Sequence, residues 1–207
     1  MTMNPVIIDY GSGNLRSVAK AFAHVTGKDV LVTSNPDDLA SASHIILPGV
    51  GAFGDCAKGL RSLNGMVAAL EEEVLNKKKP FLGICVGMQL LADKGYEHGV
   101  HDGLGWIGGE VIAIEPQDNL PVPHMGWNGL DFKKNAPAEI VKDIDQDVYF
   151  VHSYKFECDE KYVVATTSYC GAIKAFVAKG NIYGVQFHPE KSQKSGLQLI
   201  KNFLEIK

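Results

Sequence analysis

Short apolar runs alternate with amphipathic stretches through the first half of the chain. Residues 6–9, 29–33, 44–47 and 80–82 read as buried strands. After the first, Leu15, Val18, Ala19 and Phe22 recur at helical spacing and predict a helix. Over 66–79, Met66, Val67, Leu70 and Val74 form another apolar stripe. The flanking acidic triplet Glu71, Glu72, Glu73 and basic triplet Lys77, Lys78, Lys79 read as its solvated face, with Glu73 and Lys77 at i, i+4. The second half changes character. Residues 107–115, 127–132, 148–152, 163–167, 172–178 and 182–186 are strand-like, and 116–123 is a proline-containing loop. A last helix is marked by Leu197, Ile200, Phe203 and Leu204. Strand–helix alternation implies a parallel sheet with helices on both faces, and several of the later runs are expected to form an antiparallel extension of it. No repeat, low-complexity segment or linker divides the chain, so residues 1–207 are expected to form one domain.

Composition narrows the function classes. With 45% hydrophobic and 21% charged residues the chain reads as an ordinary globular protein, neither disordered nor membrane-embedded. A net charge of −4 gives no electrostatic footprint for nucleic acid or an anionic membrane. Residues 1–5 hold no basic region and no long apolar run, so no signal peptide is expected. The longest apolar stretch, 81–92, is too short to span a bilayer. The four cysteines, Cys56, Cys85, Cys158 and Cys170, have neither CxxC nor zinc-like spacing. Free thiols in a cytoplasmic protein are the expectation, with Cys56, Cys158 and Cys170 as packing residues.

Cys85 differs from the other three. Gly83-Ile84-Cys85-Val86-Gly87 lies between an apolar strand and a run of helix formers, Met88 to Ala92. This is the nucleophile-elbow pattern with cysteine in the serine position. A sharp strand-to-helix turn crowds the backbone, so a Cβ at either flank would collide with neighbouring chain. The thiol would stand at a helix N-terminus, where free N–H groups favour negative charge. Against this stands the plain fact that a cysteine in an apolar run is usually core.

Gly184-Val185-Gln186-Phe187-His188-Pro189-Glu190 supplies the matching partners. A strand delivers His188, Pro189 stops the ladder, and Glu190 can lie on the same side as the imidazole. One ring nitrogen would take the thiol proton while the carboxylate holds the other. A metal site from Cys85, His188 and Glu190 is the weaker alternative, because Gly-x-Cys-x-Gly is not a ligand spacing. Residues 48–55, with Gly49, Gly51 and Gly54, read as an irregular loop or as a backbone oxyanion donor. Gly11-Ser12-Gly13-Asn14 lacks the third glycine of a dinucleotide fingerprint, Arg16 standing there, and reads as a turn capped by Ser12 or Asn14.

Gly83 to Leu90, Pro48-Gly49-Val50-Gly51 and Phe187-His188-Pro189-Glu190 resemble the class I (triad) glutamine amidotransferases. Asp9 to Leu15, Pro123-His124-Met125-Gly126-Trp127-Asn128 and Val151-His152-Ser153-Tyr154 are similar to the branch that forms glutaminase subunits of imidazole glycerol phosphate synthases. The resemblance implies an α/β, flavodoxin-like three-layer fold with a mostly parallel central sheet and an antiparallel extension. It implies Cys85 as nucleophile, His188 as general base and Glu190 as its orienter. The amides of Val86 and of the Val50-Gly51 turn would serve the oxyanion. Gln89, Ser153, Tyr154 and Glu97 would hold the amino-acid end of glutamine, although the segment 93–103 around Glu97 is less typical. No cofactor and no metal are implied. The partner would be a (β/α)8-barrel cyclase, docked over Asn14, His124, Trp127, Tyr149 and Lys191. Three other readings stay open: a paralogous subunit supplying ammonia to a sugar-modifying enzyme, a cysteine hydrolase of a related peptidase or chaperone fold, and an inactive regulatory module.

Overall fold

A computed structural model describes residues 3–117 and 119–207. Residues 1 and 2 of the N-terminal stretch and residue 118 of the proline loop therefore lie outside the described residues. The first half gives β1 (Pro5–Ile8), α1 (Leu15–Thr26), β2 (Leu31–Thr33), a 3-10 turn (Pro36–Ser41), β3 (His44–Gly49), α2 (Phe53–Ser62), α3 (Met66–Leu70), β4 (Phe81–Cys85) and α4 (Val86–Gln89). Two short strands follow, β5 (Lys94–Gly95) and β6 (His101–Asp102), then β7 (Gly109–Ala113), β8 (His124–Gly129), β9 (Asp131–Phe132) and α5 (Ala138–Val141). The chain continues through β10 (Asp147–His152), β11 (Tyr154–Cys158), β12 (Val163–Ser168), β13 (Ala172–Lys179) and β14 (Ile182–Val185) to α6 (Gln193–Glu205).

Eight strands make the central sheet in the order β2-β1-β3-β4-β14-β13-β12-β9. The first five run parallel. The pairings of β13, β12 and β9 are antiparallel, which is the expected extension. Every residue of β1, β3, β4 and β14 is buried, as a sheet covered on both faces requires. Helices α1, α5 and α6 pack together, and α2 contacts α3 and α4 in a second group. The fold is the flavodoxin-like α/β arrangement that the strand–helix alternation predicts.

Several of the later runs thus join the central sheet, while β8 pairs with β10 and β11, β7, β5 and β6 form a separate sheet. Two expectations need correction. The helix over 66–79 is regular only to Leu70 and continues as a π-helix over Glu71–Asn76. Glu73 is not solvated. Its side chain is 6% exposed and sits between Lys77 at 2.7 Å and Lys79 at 2.6 Å. The wider π turn rotates the acidic run, so its third member faces inward and is stable there only because two ammonium groups meet it. No helix among the described residues is long and apolar enough to cross a membrane.

Candidate active site

Cys85 closes β4 and is the N-cap of α4, with φ 55° and ψ −112°. That is a sparsely populated conformation for a residue with a Cβ, and surrounding packing must hold it. The flanking glycines explain how. A Cβ on Gly87 would overlap the carbonyl oxygen of Leu47 on β3, and one on Gly83 would overlap that of Gly87. The elbow is thus wedged against its neighbouring strand at a distance only glycine permits. Helix α4 has four residues, so its macrodipole is small. What it offers is the N–H of Val86, which at the first helical position has no acceptor within the helix.

Cys85 lies opposite Gly49 in the β3–β4 pairing, so the loop after β3 leaves the sheet beside the nucleophile. The carbonyl of Val50 accepts hydrogen bonds from the Ser12 hydroxyl and, at 3.6 Å, from the Cys56 thiol. In a trans peptide the N–H points opposite to the C=O. The Gly51 N–H therefore points away from Ser12 and Cys56. Cys56 is buried, as expected, but it also orients this loop; burial raises its thiol above the ordinary range. Ser12 does not cap α1, and Asn14, at the N-cap position, makes no side-chain cap bond.

His188 is fixed from three sides. Its N–H donates to Tyr149 O at 2.9 Å, its carbonyl accepts from Ser192 Oγ at 2.7 Å, and Pro189 opens a 3-10 turn carrying Glu190. Nδ1 of the ring meets Glu190 Oε1 at 2.9 Å, with both side chains at most 2% exposed. Burial alone would push the imidazole down. The hydrogen bond to Glu190 and the charge of Cys85 and Glu190 outweigh it and hold His188 up at about 10. Nε2 is buried without a hydrogen-bond partner and faces the thiol side of the pair. The sulfur of Cys85 instead has Val151 O at 4.0 Å and Gln186 Nε2 at 3.7 Å. The His188–Glu190 pair is assembled, while Cys85 and His188 are not hydrogen-bonded to each other.

A nucleophile elbow, a glycine loop beside it and a His–Glu pair are the parts of an acyl-transfer site built on cysteine. The family model described as glutamine amidotransferase class-I matches residues 6–206. The chain belongs to the class-I glutamine amidotransferase family. It is 50% identical over 210 residues to "Imidazole glycerol phosphate synthase subunit HisH" of Rhodospirillum rubrum, covering 98% of each chain. It is 48% identical over 200 residues to "Imidazole glycerol phosphate synthase subunit HisH 1" of Campylobacter jejuni strain RM1221, covering 97% of this chain and 98% of that one. Among solved structures, PurLQS from Thermotoga maritima matches with a TM-score of 0.75 and 19% identity over 99% of this chain and 98% of that one. A structure titled glutamine amidotransferase matches at 0.73 and 19% over 97% of both. At those identities the structures speak for the fold.

The remaining amidotransferase candidates separate into three groups. Gln89 and Tyr154 lie at the site: Gln89 Nε2 donates to Tyr154 O at 3.1 Å, and Ser153 joins β10 to β11 beside them. Glu97 has a structural task, since one carboxylate oxygen accepts the Phe53 N–H at 2.8 Å and so caps α2. Trp127, Tyr149 and Lys191 form one surface cluster. Trp127 is 50% exposed and stands edge-on to Tyr149 at 6.1 Å, with Lys191 Nζ 5.6 Å from the Tyr149 ring. Trp127 is therefore no core residue, although it lies within a strand. His124 is the exception among the docking candidates. It is 2% exposed, stacked between Phe150 and Tyr169, and bonded to His152 and Asn128.

That last set forms a chain the sequence reading missed. His152 Nδ1 must donate to Tyr154 O at 2.8 Å, because a carbonyl only accepts. Its Nε2 then accepts from His124 Nδ1 at 3.0 Å, and His124 Nε2 accepts from Asn128 at 3.2 Å. All three bonds are made by neutral rings, in keeping with burial pushing both histidines down to about 4. The available signal was two histidines on strands that pair directly, His152 opposite His124.

Proposed function

We propose that this chain is the glutaminase subunit of an imidazole glycerol phosphate synthase, a cytoplasmic enzyme of histidine biosynthesis. The observation that carries this reading is the near-full-length likeness, at about half identity, to subunits of that name from several bacteria. The whole chain acts as one glutaminase domain. Cys85 Sγ gives its proton to His188 Nε2 and attacks the carboxamide carbon of glutamine. The N–H groups of Val86 and of the Val50-Gly51 turn receive the oxyanion. Collapse expels ammonia with the proton from His188, and water then hydrolyses the γ-glutamyl thioester, His188 acting as base again. Glu190 keeps the imidazole oriented throughout. Gln89, Ser153, Tyr154 and the free oxygen of Glu97 receive the amino-acid end of the substrate.

The ammonia goes to a separate (β/α)8-barrel cyclase, which forms imidazole glycerol phosphate and an aminoimidazole carboxamide ribotide. Exposed Met125 and Trp127, with Tyr149, Lys191 and Asn14, form the docking face, beside a cleft of about 760 Å3 lined by Trp127, Ser192 and Gln193. Aromatic anchors suit an interface, and Lys191 can fix register by meeting a partner carboxylate. Cys85→Ala tests the assignment in the reconstituted complex. Glutamine hydrolysis and thioester trapping by a glutamine-analogue electrophile should disappear, while synthesis from added ammonium survives. Loss of both activities in a folded variant refutes the reading.

A further inference from the structure

Gln186 is completely buried at the end of β14, in the apolar sequence Val185-Gln186-Phe187. A primary amide in such a place is costly unless its polar atoms are engaged, and both ends of this one are. Gln89 settles which end is which. Its amide contacts Tyr154 O at 3.1 Å, a carbonyl that only accepts, so the contacting atom must be Nε2. The same nitrogen lies 3.0 Å from the Gln186 amide and must meet an acceptor there, which is Oε1. The Nε2 of Gln186 is then directed at Cys85 Sγ, 3.7 Å away. Both amide orientations are dictated from the Tyr154 carbonyl inward.

We propose that Gln186 is a further catalytic residue: its amide N–H is the donor that holds the Cys85 sulfur and stabilises the negative charge on it, and Gln89 is the positioning residue that aims that amide. The inference rests on Cys85 being the nucleophile. When Cys85 passes its proton to His188 Nε2, the electron pair left on sulfur sits in a nearly dry site. Apart from Val151 O, which offers no proton, Gln186 Nε2 is the polar atom hydrogen-bonded to it in the structure. An N–H donor is worth more to a buried anion than to a neutral thiol, so it favours the charged state that attacks. When the thioester forms, the sulfur loses that charge and the bond weakens. The interaction thus favours formation and regeneration of the nucleophile and gives little to the acyl-enzyme. Because Gln89 spends both amide hydrogens on Tyr154 and Gln186, its substitution should reach the Cys85 sulfur through Gln186, separately from its part in holding substrate.

The experiment compares wild type with Gln186→Met, Gln186→Glu, Gln89→Met and the double methionine variant, each as the full chain with its cyclase. Three quantities are measured: kcat/KM for glutamine hydrolysis, the melting temperature, and the pH profile of iodoacetamide alkylation at the Cys85 peptide by mass spectrometry. Methionine matches the shape of glutamine and removes the donor. Gln186→Glu keeps the acceptor for Gln89 and places an acid beside the sulfur. Both Gln186 variants should lose about 10- to 100-fold in kcat/KM, the scale of one hydrogen bond to a charged group. Their alkylation midpoints should move to higher pH, Gln186→Glu the further. The alkylation midpoint of the double variant should lie no higher than that of Gln186→Met alone, since one device acting on the sulfur has been removed twice. A folded Gln186→Met or Gln186→Glu variant with the wild-type alkylation profile, or with kcat/KM within twofold, overturns the inference. Wild type that neither hydrolyses glutamine nor alkylates at Cys85 would instead overturn the reading of the site itself, and the inference with it.

Discussion

Replacing Glu190 by glutamine tests the order of the triad with almost no change of shape. The carboxylate receives His188 Nδ1–H at 2.9 Å inside the protein, where little solvent screens it. Glutamine retains an oxygen that accepts the same hydrogen but removes the charge. A hydrogen bond to a charged group contributes ~1.5–3 kcal/mol, so kcat/KM should fall about 10- to 100-fold. That is milder than loss of Cys85 or His188, because an orienter is less essential than nucleophile or base. The pH dependence gives an independent reading. In the proposed mechanism His188 carries the proton that leaves with ammonia, and it is held up at about 10 against the opposing effect of burial. Removing the carboxylate withdraws part of that support, so the alkaline limb of kcat/KM should move to lower pH. Stability follows the same sign. A histidine whose folded value is raised above 6.5 contributes fully below 6.5, and that contribution fades as pH climbs to about 10. The melting temperature of Glu190→Gln should therefore vary less across this window than that of wild type. Glutamate release and thermal melting, both followed across it, are the assays. Wild-type kcat/KM together with an unmoved alkaline limb would show that Glu190 does not support His188.

Three further outcomes are expected. Trp127→Ala combined with Lys191→Ala should weaken co-purification with the cyclase and leave the melting temperature of the isolated chain unchanged; an intact complex with a much lower melting temperature would make these residues structural. Burial holds His124 and His152 down at about 4, so their neutral chain stabilises the fold above pH 6.5 and fails as pH falls through about 4. His124→Phe keeps a ring between Phe150 and Tyr169, and its acid-side melting curve should be shallower than that of wild type; superimposable slopes would contradict the assignment. Glu73→Ala should lower unfolding free energy by ~1.5–3 kcal/mol in urea titrations, since it strips the charge-assisted hydrogen bond from Lys77 and the ion pair with Lys79 from the π turn, and a loss under ~0.5 kcal/mol would mean the carboxylate is dispensable.

Much of the site was legible because its chemistry is written in contiguous residues. Cys85 with its two glycines and His188 with Glu190 each occupy a single turn, where spacing fixes geometry. The parallel half of the sheet was legible for a related reason: strands buried on both faces are continuous apolar runs. What escaped depends on contacts between distant segments. Nothing local shows that Gln186 reaches Cys85, or that Glu73 turns inward to Lys79. The family resemblance set His124 on the docking face, but alternation along β8 exposes Met125 and turns His124 inward. The strand β11 was missed because Lys155 and Glu157 interrupt its apolar residues, as in a strand with one wet face.

Strands β3, β4 and β14 are neighbours in the sheet, and they carry in turn the loop after Gly49, Cys85 and the approach to His188. Their lateral separations are set by backbone hydrogen bonding, about 4.7–4.9 Å per strand. The lateral spacing of the strand ends that carry the Gly49 loop, Cys85 and the run to His188 is therefore a lattice constant of the sheet, on which the Ser12–Val50 and Tyr149–His188 contacts set the loops. Such a ruler has no fine adjustment. Side-chain substitutions around it can tilt a group, but the strand positions change only in whole-residue steps of about 3.3 Å, each reversing which face a side chain occupies. Variation in this framework should thus be all or none: sequences either keep the register and place the three parts within reach of one carbonyl carbon, or lose it and scatter them to opposite sides of the sheet.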